Sequence, residues 1–164
     1  MIIGIDPGVT GAVGVLYLGG QATGVSAHDL PMVTTPNKRG TERVLDIQAF
    51  SELITDLADD YNAVVWLEKT QPMKDSAMTA FSMGQMRGML LATLRMLKIP
   101  VHEVTPQAWK KEFGLTKCDK DASRNAAGTM LPKCGPYITR KLDHNRAESI
   151  LIALYGKRQM RKYG

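Results

Sequence analysis

The 164-residue chain predicts a mixed five-stranded α/β sheet flanked by helices, three antiparallel strands followed by parallel ones. Near the N-terminus, short apolar segments are joined by glycine-bearing turns, Gly8 to Gly11 and Gly19-Gly20, in the manner of an antiparallel meander. Beyond Leu45 the apolar spacing switches to the helical period, and helical stretches then alternate with short apolar runs. No repeat, low-complexity tract or linker breaks residues 1–164, so one domain is expected.

In order, Ile2 to Asp6, Ala12 to Leu18 and roughly Ala22 to Leu30 read as the three antiparallel strands. Pro31 to Arg43 reads as a loop: Pro31, Pro36, Asn37, Lys38, Arg39 and Gly40 make it too polar and broken to pack until something anionic orders it. Leu45 to Asp59 places Ile47, Phe50, Leu53, Ile54 and Leu57 at helical spacing, with Asp46 as N-cap. A strand over Val64 to Glu68 follows, then a long helix from Ser76 to Leu97 and a short strand from Val101 to Val104. Thr105-Pro106 opens another helix with a cap and a first-turn proline, and the last helix spans His144 to Tyr155.

Composition narrows the class. A hydrophobic content of 44% suits a globular chain, and a net charge of +5 suits a negatively charged polymer as partner, with a merely basic surface as the alternative. Cys118 and Cys134 are isolated and lack metal-ligand spacing, which fits a reducing cytosol rather than a disulfide scaffold or zinc site. No leader-like start and no 18-residue apolar run is present, so a cytoplasmic protein that neither enters nor crosses a membrane is expected.

Four acids concentrate the chemistry. Asp6 ends the run Met1-Ile2-Ile3-Gly4-Ile5 and precedes Pro7-Gly8-Val9-Thr10-Gly11; Glu68 ends Val64-Val65-Trp66-Leu67. Two strands finishing in carboxylates, laid side by side, bring like charges to one sheet edge, where a cation is required. Asp143 and Glu148 start the last helix, and mid-helix they would point about 140° apart. They converge only if Asp143 occupies the cap or first turn; otherwise Asp143 caps the helix and Glu148 faces water. His144 shares a face with Glu148 and is a ligand, a base, an orienter or a solvated side chain. Carboxylate oxygens with few histidines favour Mg²⁺ or Mn²⁺ over zinc. Two such ions about 4 Å apart activate a water and stabilise the departing 3′ oxygen of a phosphodiester.

These residues sit within larger pieces. Gly4-Ile5-Asp6-Pro7-Gly8 with Thr10-Gly11, Leu67-Glu68-Lys69, Val104-Thr105-Pro106-Gln107-Ala108-Trp109-Lys110, Lys120-Asp121-Ala122-Ser123-Arg124 and Asp143-His144 through Arg146-Ala147-Glu148 resemble the RuvC-type Holliday-junction resolvases, especially their compact phage-like branch. The similarity covers nearly the whole chain. It implies an RNase H-like fold, a homodimer, two Mg²⁺ or Mn²⁺ ions per active site, and paired symmetric nicks in four-way DNA junctions that leave 5′-phosphate and 3′-hydroxyl ends. It implies Asp6, Glu68, Asp143 and Glu148 as metal ligands, Asp6 shared, Glu68 on one ion and the last two on the other. The bacterial host enzymes carry a closer final pair, both Asp, whereas here the last acid is Glu148.

Basic residues are candidates for phosphate. Lys117, Lys120 and Arg124 flank a turn and helix start, and Lys120 is the candidate catalytic lysine for the attacked phosphate. Lys69 follows Glu68 and is a further candidate, although successive strand residues face opposite sides and it is not necessarily inside the site. Lys38, Arg39, Arg43, Lys110, Lys111, Lys133, Arg140, Lys141 and the tail Lys157, Arg158, Arg161 and Lys162 extend a possible duplex track. The helix around 76–97 is apolar over more than one face and Met-rich, with Gly84 and Gly88 at i,i+4; it is a dimer interface or, alternatively, a core helix. Met73 or Phe81 is a candidate wedge against unstacked bases, core packing being the alternative. Three other functions share these features: an actin-like nucleotide-binding domain, a non-catalytic junction-binding protein, and a nuclease for other branched DNA or RNA–DNA hybrids. The actin-like reading lacks a second phosphate loop.

Overall fold

The computed structural model describes residues 1–19, 24–37, 40–58, 62–70 and 77–163. The chain runs β1 (Ile2–Asp6), β2 (Ala12–Tyr17), β3 (Gly24–Asp29), β4 (Met32–Asn37), β5 (Gly40–Leu45), α1 (Ile47–Ala58), β6 (Val64–Glu68), α2 (Ala77–Met96), β7 (Val101–Val104), α3 (Pro106–Glu112), α4 (Lys120–Met130) and α5 (His144–Tyr163). Short 3-10 turns at Pro132–Tyr137 and Lys141–Asp143 connect the last two helices. The main sheet has the order β3-β2-β1-β6-β7. Its first three strands are antiparallel, while β1–β6 and β6–β7 are parallel, which is the expected mixed sheet.

Period-two alternation along the strands splits the core into two layers. Ile3, Ile5, Val13, Val15, Val65 and Leu67 face α1 and α2 and pack with Phe50, Ile54, Leu90 and Leu94. Ile2, Leu16 and the partly buried Trp66 face the other way and pack with Trp109, Ile150, Leu151 and Leu154 from α3 and α5. Each large aliphatic or aromatic side chain buried this way contributes about 1.5–3 kcal/mol. Asp6 and Glu68 fall on the α3/α5 side by the same alternation. Gly4 and Gly14 are cross-strand partners directly beneath α5. A Cβ on Gly4 would collide with the Ser149 carbonyl and the Ala153 amide, and one on Gly14 with the Ile150 amide. Missing side chains therefore let the α5 backbone settle onto β1 and β2, which lowers Glu148 toward the strand ends.

The expected caps are present: Asp46 Oδ1 accepts from Ala49 N at 3.0 Å, and Thr105 Oγ1 accepts from Ala108 N at 3.3 Å. Two expectations need correction. The described part of the expected loop is not unpaired; β4 and β5 form a separate antiparallel pair with Val33 opposite Val44 and Thr34 opposite Arg43. The β-branched Val33, Thr34, Thr35, Thr41 and Val44 favour the extended backbone, and a two-stranded ribbon has edges that tolerate Pro36. The final helix does not stop at Tyr155 but continues to Tyr163. Glu112 holds that extension through Arg158 and Lys162, each at 3.3 Å, and Arg158 stacks over Phe113 at 4.7 Å. No helix among the described residues is long and apolar enough to cross a membrane.

Candidate active site

The β1–β6 register sets Ile5 opposite Leu67, so the next residues, Asp6 and Glu68, leave neighbouring parallel strands at the same edge. Asp6 is only 8% exposed. Glu148 reaches this edge from the start of α5. Burial raises the Asp6 carboxyl well above its ordinary range, and the Glu68 and Glu148 charges raise it further. Burial likewise raises Glu68, against the opposing hydrogen bond from Trp109, and Glu148 adds to the rise. Three carboxylates thus share one electrostatic site, in which Glu68 and Glu148 make Asp6 harder to ionise and Glu148 does the same to Glu68.

Three residues from α3 and α4 hold these acids. Trp109 Nε1 donates to Glu68 Oε2 at 2.5 Å, and Ser123 Oγ donates to Glu148 Oε1 at 3.0 Å. The Lys110 ammonium lies 3.3 Å from Glu148 Oε1 and 5.1 Å from the Trp109 ring centroid, and it lowers both Asp6 and Glu68. From sequence Lys110 belongs to a duplex track and Trp109 and Ser123 carry no role; in the fold all three meet the acids. The signal available for Trp109 and Lys110 was the position of α3 directly after β7, the strand that neighbours β6.

Asp143 lies apart from this convergence. It occupies the 3-10 turn before α5, its side chain 3% exposed, and accepts from Arg140 Nη2 at 2.7 Å, Arg140 Nε at 3.0 Å and the Arg140 amide at 2.8 Å. Burial alone would raise its carboxyl, but the Arg140 bonds outweigh it and hold Asp143 below the ordinary range. Among the described residues no three of His, Cys, Asp and Glu are grouped closely enough to hold a metal ion as they stand. The donor chemistry nonetheless fits a hard divalent cation: Asp6, Glu68 and Glu148 supply oxygen only, and their mutual repulsion is what such a cation relieves. Asn145, the residue after His144, donates to Thr10 Oγ1 at 2.9 Å and so ties the turn following Asp6 to the start of α5.

His144 lines a cleft of about 400 Å³ with Thr10, Asp29, Arg43, Arg140 and Asn145. Arg146 makes a two-pronged pair with Asp29 at 2.6 and 2.7 Å. Of the cations expected at phosphate, Lys69 and Lys117 are exposed, Arg140 is engaged with Asp143, and Arg124 is paired to Asp121 at 3.2 Å. Lys38, Arg39 and the side chain of Lys120 lie outside the described residues, as does Met73.

A mixed sheet carrying convergent carboxylates where its central parallel strands end defines an RNase H-like nuclease. The profile of the family "Crossover junction endodeoxyribonuclease RuvC" matches residues 2–132. This chain belongs to that RuvC family, whose nucleases are metal-dependent. Solved structures agree on the fold. Thermus thermophilus RuvC in complex with a Holliday junction substrate superposes with a TM-score of 0.67 at 19% identity, covering 98% of this chain and 94% of that one. A second Thermus thermophilus RuvC structure gives 0.63 at 18% identity over 98% and 95%, and the fowlpox virus Holliday junction resolvase gives 0.53 at 12% identity over 97% and 98%. No curated protein matches the chain by sequence.

Proposed function

We propose that this crossover junction endodeoxyribonuclease is a homodimeric Holliday-junction resolvase of recombination and repair, each subunit one RNase H-like unit over 1–164, acting in the cytoplasm of a bacterial cell or phage-infected host. The observation that carries the reading is the convergence of Asp6, Glu68 and Glu148 on one buried sheet edge in a chain of net charge +5. Such a site gains nothing from phosphate alone and requires cations to approach DNA.

Asp6, Glu68 and Glu148 would hold two Mg²⁺ or Mn²⁺ ions, Asp6 being the ligand assigned to both. When bound, the ions activate a water and stabilise the departing 3′ oxygen, leaving 5′-phosphate and 3′-hydroxyl ends. Asp143 completes the ligand set once a DNA phosphate draws the exposed Arg140 away from it. Lys110 balances the acids before the ions arrive and afterwards faces the reacting phosphate. Lys120, one turn before Ser123 on α4, is assigned to the attacked phosphate. Lys38, Arg39, Lys69, Lys117, Arg124 and Arg140 carry the duplex arms. The exposed face of α2 supports the dimer, because Phe81 is 69% exposed beside Gly84 and Gly88, where added side chains would meet nothing. Two copies related by a two-fold axis match the two equivalent strands of a four-way junction.

The test is incubation with Mg²⁺ or Mn²⁺ and a labelled four-way junction, beside linear duplex, an RNA–DNA hybrid and an Asp6→Asn control. Paired symmetric nicks in the junction alone, absent from the control, are expected. Cleavage of the hybrid would reassign the chain to ribonuclease activity, and binding without cutting to a junction-binding role.

A further inference from the structure

We infer that Trp109 is a positioning residue for Glu68: its indole N–H holds Oε2, so that Glu68 presents Oε1 alone to a divalent cation. The inference rests on the metal-dependent reading above. Trp109 is fully buried, in the core with Val104, Phe113 and Ala147, on a seven-residue helix capped by Thr105 with Pro106 in its first turn. That packing leaves the indole no alternative place, and an indole N–H is a donor only. Deprived of Glu68 it would be a buried donor without an acceptor, which costs about 1–3 kcal/mol, so the two groups are tied to each other.

A glutamate left to itself binds a cation through one oxygen or both and samples several rotamers. Here one oxygen is already occupied. Glu148 is treated in the same way, with Ser123 and Lys110 both on Oε1. The two acids therefore each keep one oxygen uncommitted by these partners, and both committed oxygens are held from α3 and α4. The ring of Trp109 also underlies Lys110, so one buried side chain touches Glu68 through its N–H and the counter-charge of Glu148 through its face. Outer partners of this kind typically change metal affinity 10–100-fold when removed.

The experiment measures Mn²⁺ binding to the full-length protein by electron paramagnetic resonance for wild type, Trp109→Phe and Glu68→Gln, together with junction affinity, thermal melting and the Mg²⁺ dependence of junction cleavage. Trp109→Phe is expected to weaken Mn²⁺ binding by about tenfold and to raise the Mg²⁺ needed for half-maximal cleavage in proportion, with junction affinity kept and the rate recovered at high Mg²⁺. A folded Trp109→Phe with wild-type Mn²⁺ affinity overturns the inference while leaving the metal site in place. Wild-type Mn²⁺ affinity in Glu68→Gln, or no binding by wild type, overturns the underlying metal reading instead. If Trp109→Phe does not fold, the indole N–H resonance of Trp109 in the ¹⁵N-labelled wild-type chain decides. A shift on Mg²⁺ titration that Glu68→Gln abolishes supports the inference, and an unmoved resonance overturns it.

Discussion

Asp6 and Asp143 are both buried aspartates near the start of α5, yet their charges have opposite consequences. Asp6 has its proton affinity raised in the folded state by burial and then by Glu68 and Glu148. From the ordinary carboxylate range upward the folded chain holds a proton that the unfolded chain has released, so stability falls as pH rises through that window. At neutral pH, without divalent ions, Asp6→Asn is expected to melt higher than wild type, by about 2–4 °C for each kcal/mol recovered, with the difference closing toward acid pH. The same variant should bind junctions and fail to cut them. Scanning calorimetry at several pH values, paired with a cleavage assay, checks both; a lower melting point for Asp6→Asn at pH 7 contradicts the burial account. Asp143 has its folded proton affinity lowered, since the Arg140 bonds outweigh burial. Its contribution is therefore present above the ordinary carboxylate range and is lost as pH falls through the lowered value, so Asp143→Asn should melt below wild type at neutral pH. Opposite signs for the two variants are the expected outcome in one pH series.

At the scale of elements, the decisive contact is α5 against the glycine pair of β1 and β2. Gly4→Ala puts a methyl group into the backbone of Ser149 and Ala153, which can yield only by lifting the helix. Overpacking of this kind costs about 1–3 kcal/mol, occasionally more. Lifting α5 also withdraws Glu148 from Asp6, so Gly4→Ala should lose metal-dependent cleavage out of proportion to its fall in urea midpoint; a stable variant with normal cleavage would separate the helix height from the site. Local pattern was enough to find what rests on local pattern. Asp6 and Glu68 were legible because each ends an apolar run, and alternation decides their face. Asp46 and Thr105 were legible because a cap is a short-range bond. The β4–β5 pair was not, because polar residues and Pro36 obscure a strand whose preference lies in Val33, Thr34, Thr35 and Val44. The length of α5 was not, because its last turns depend on Glu112, 46 residues before Arg158. Trp109, Lys110 and Ser123 were hidden for the same reason: the Trp109 bond to Glu68 spans 41 residues and no local rule joins them.

At the scale of the whole molecule, the proposed dimer has to bring two sites to one junction. On α2, Met86, Leu90, Thr93 and Leu94 are buried against the sheet, while Phe81, Gly84 and Gly88 lie along the exposed side at helical spacing. Arg87 sits between these faces and is clamped to Glu103 on β7 at 2.8 Å, which keeps the helix from rolling. Because a side chain at Gly84 meets nothing within the subunit, Gly84→Glu changes the exposed face without touching the core. A two-fold interface presents every introduced charge twice, and a glutamate buried there without a partner cation is strongly unfavourable. Gly84→Glu should therefore sediment as a monomer that stays folded, the loss of the partner opposed by the better helix propensity of Glu over Gly. It should keep Mn²⁺ binding, because Asp6, Glu68 and Glu148 all come from one chain, and yet turn paired nicks into isolated ones on a cruciform plasmid. A Gly84→Glu protein that stays dimeric moves the interface elsewhere; one that is monomeric but still makes coupled nicks shows that pairing of the two cuts does not depend on the dimer.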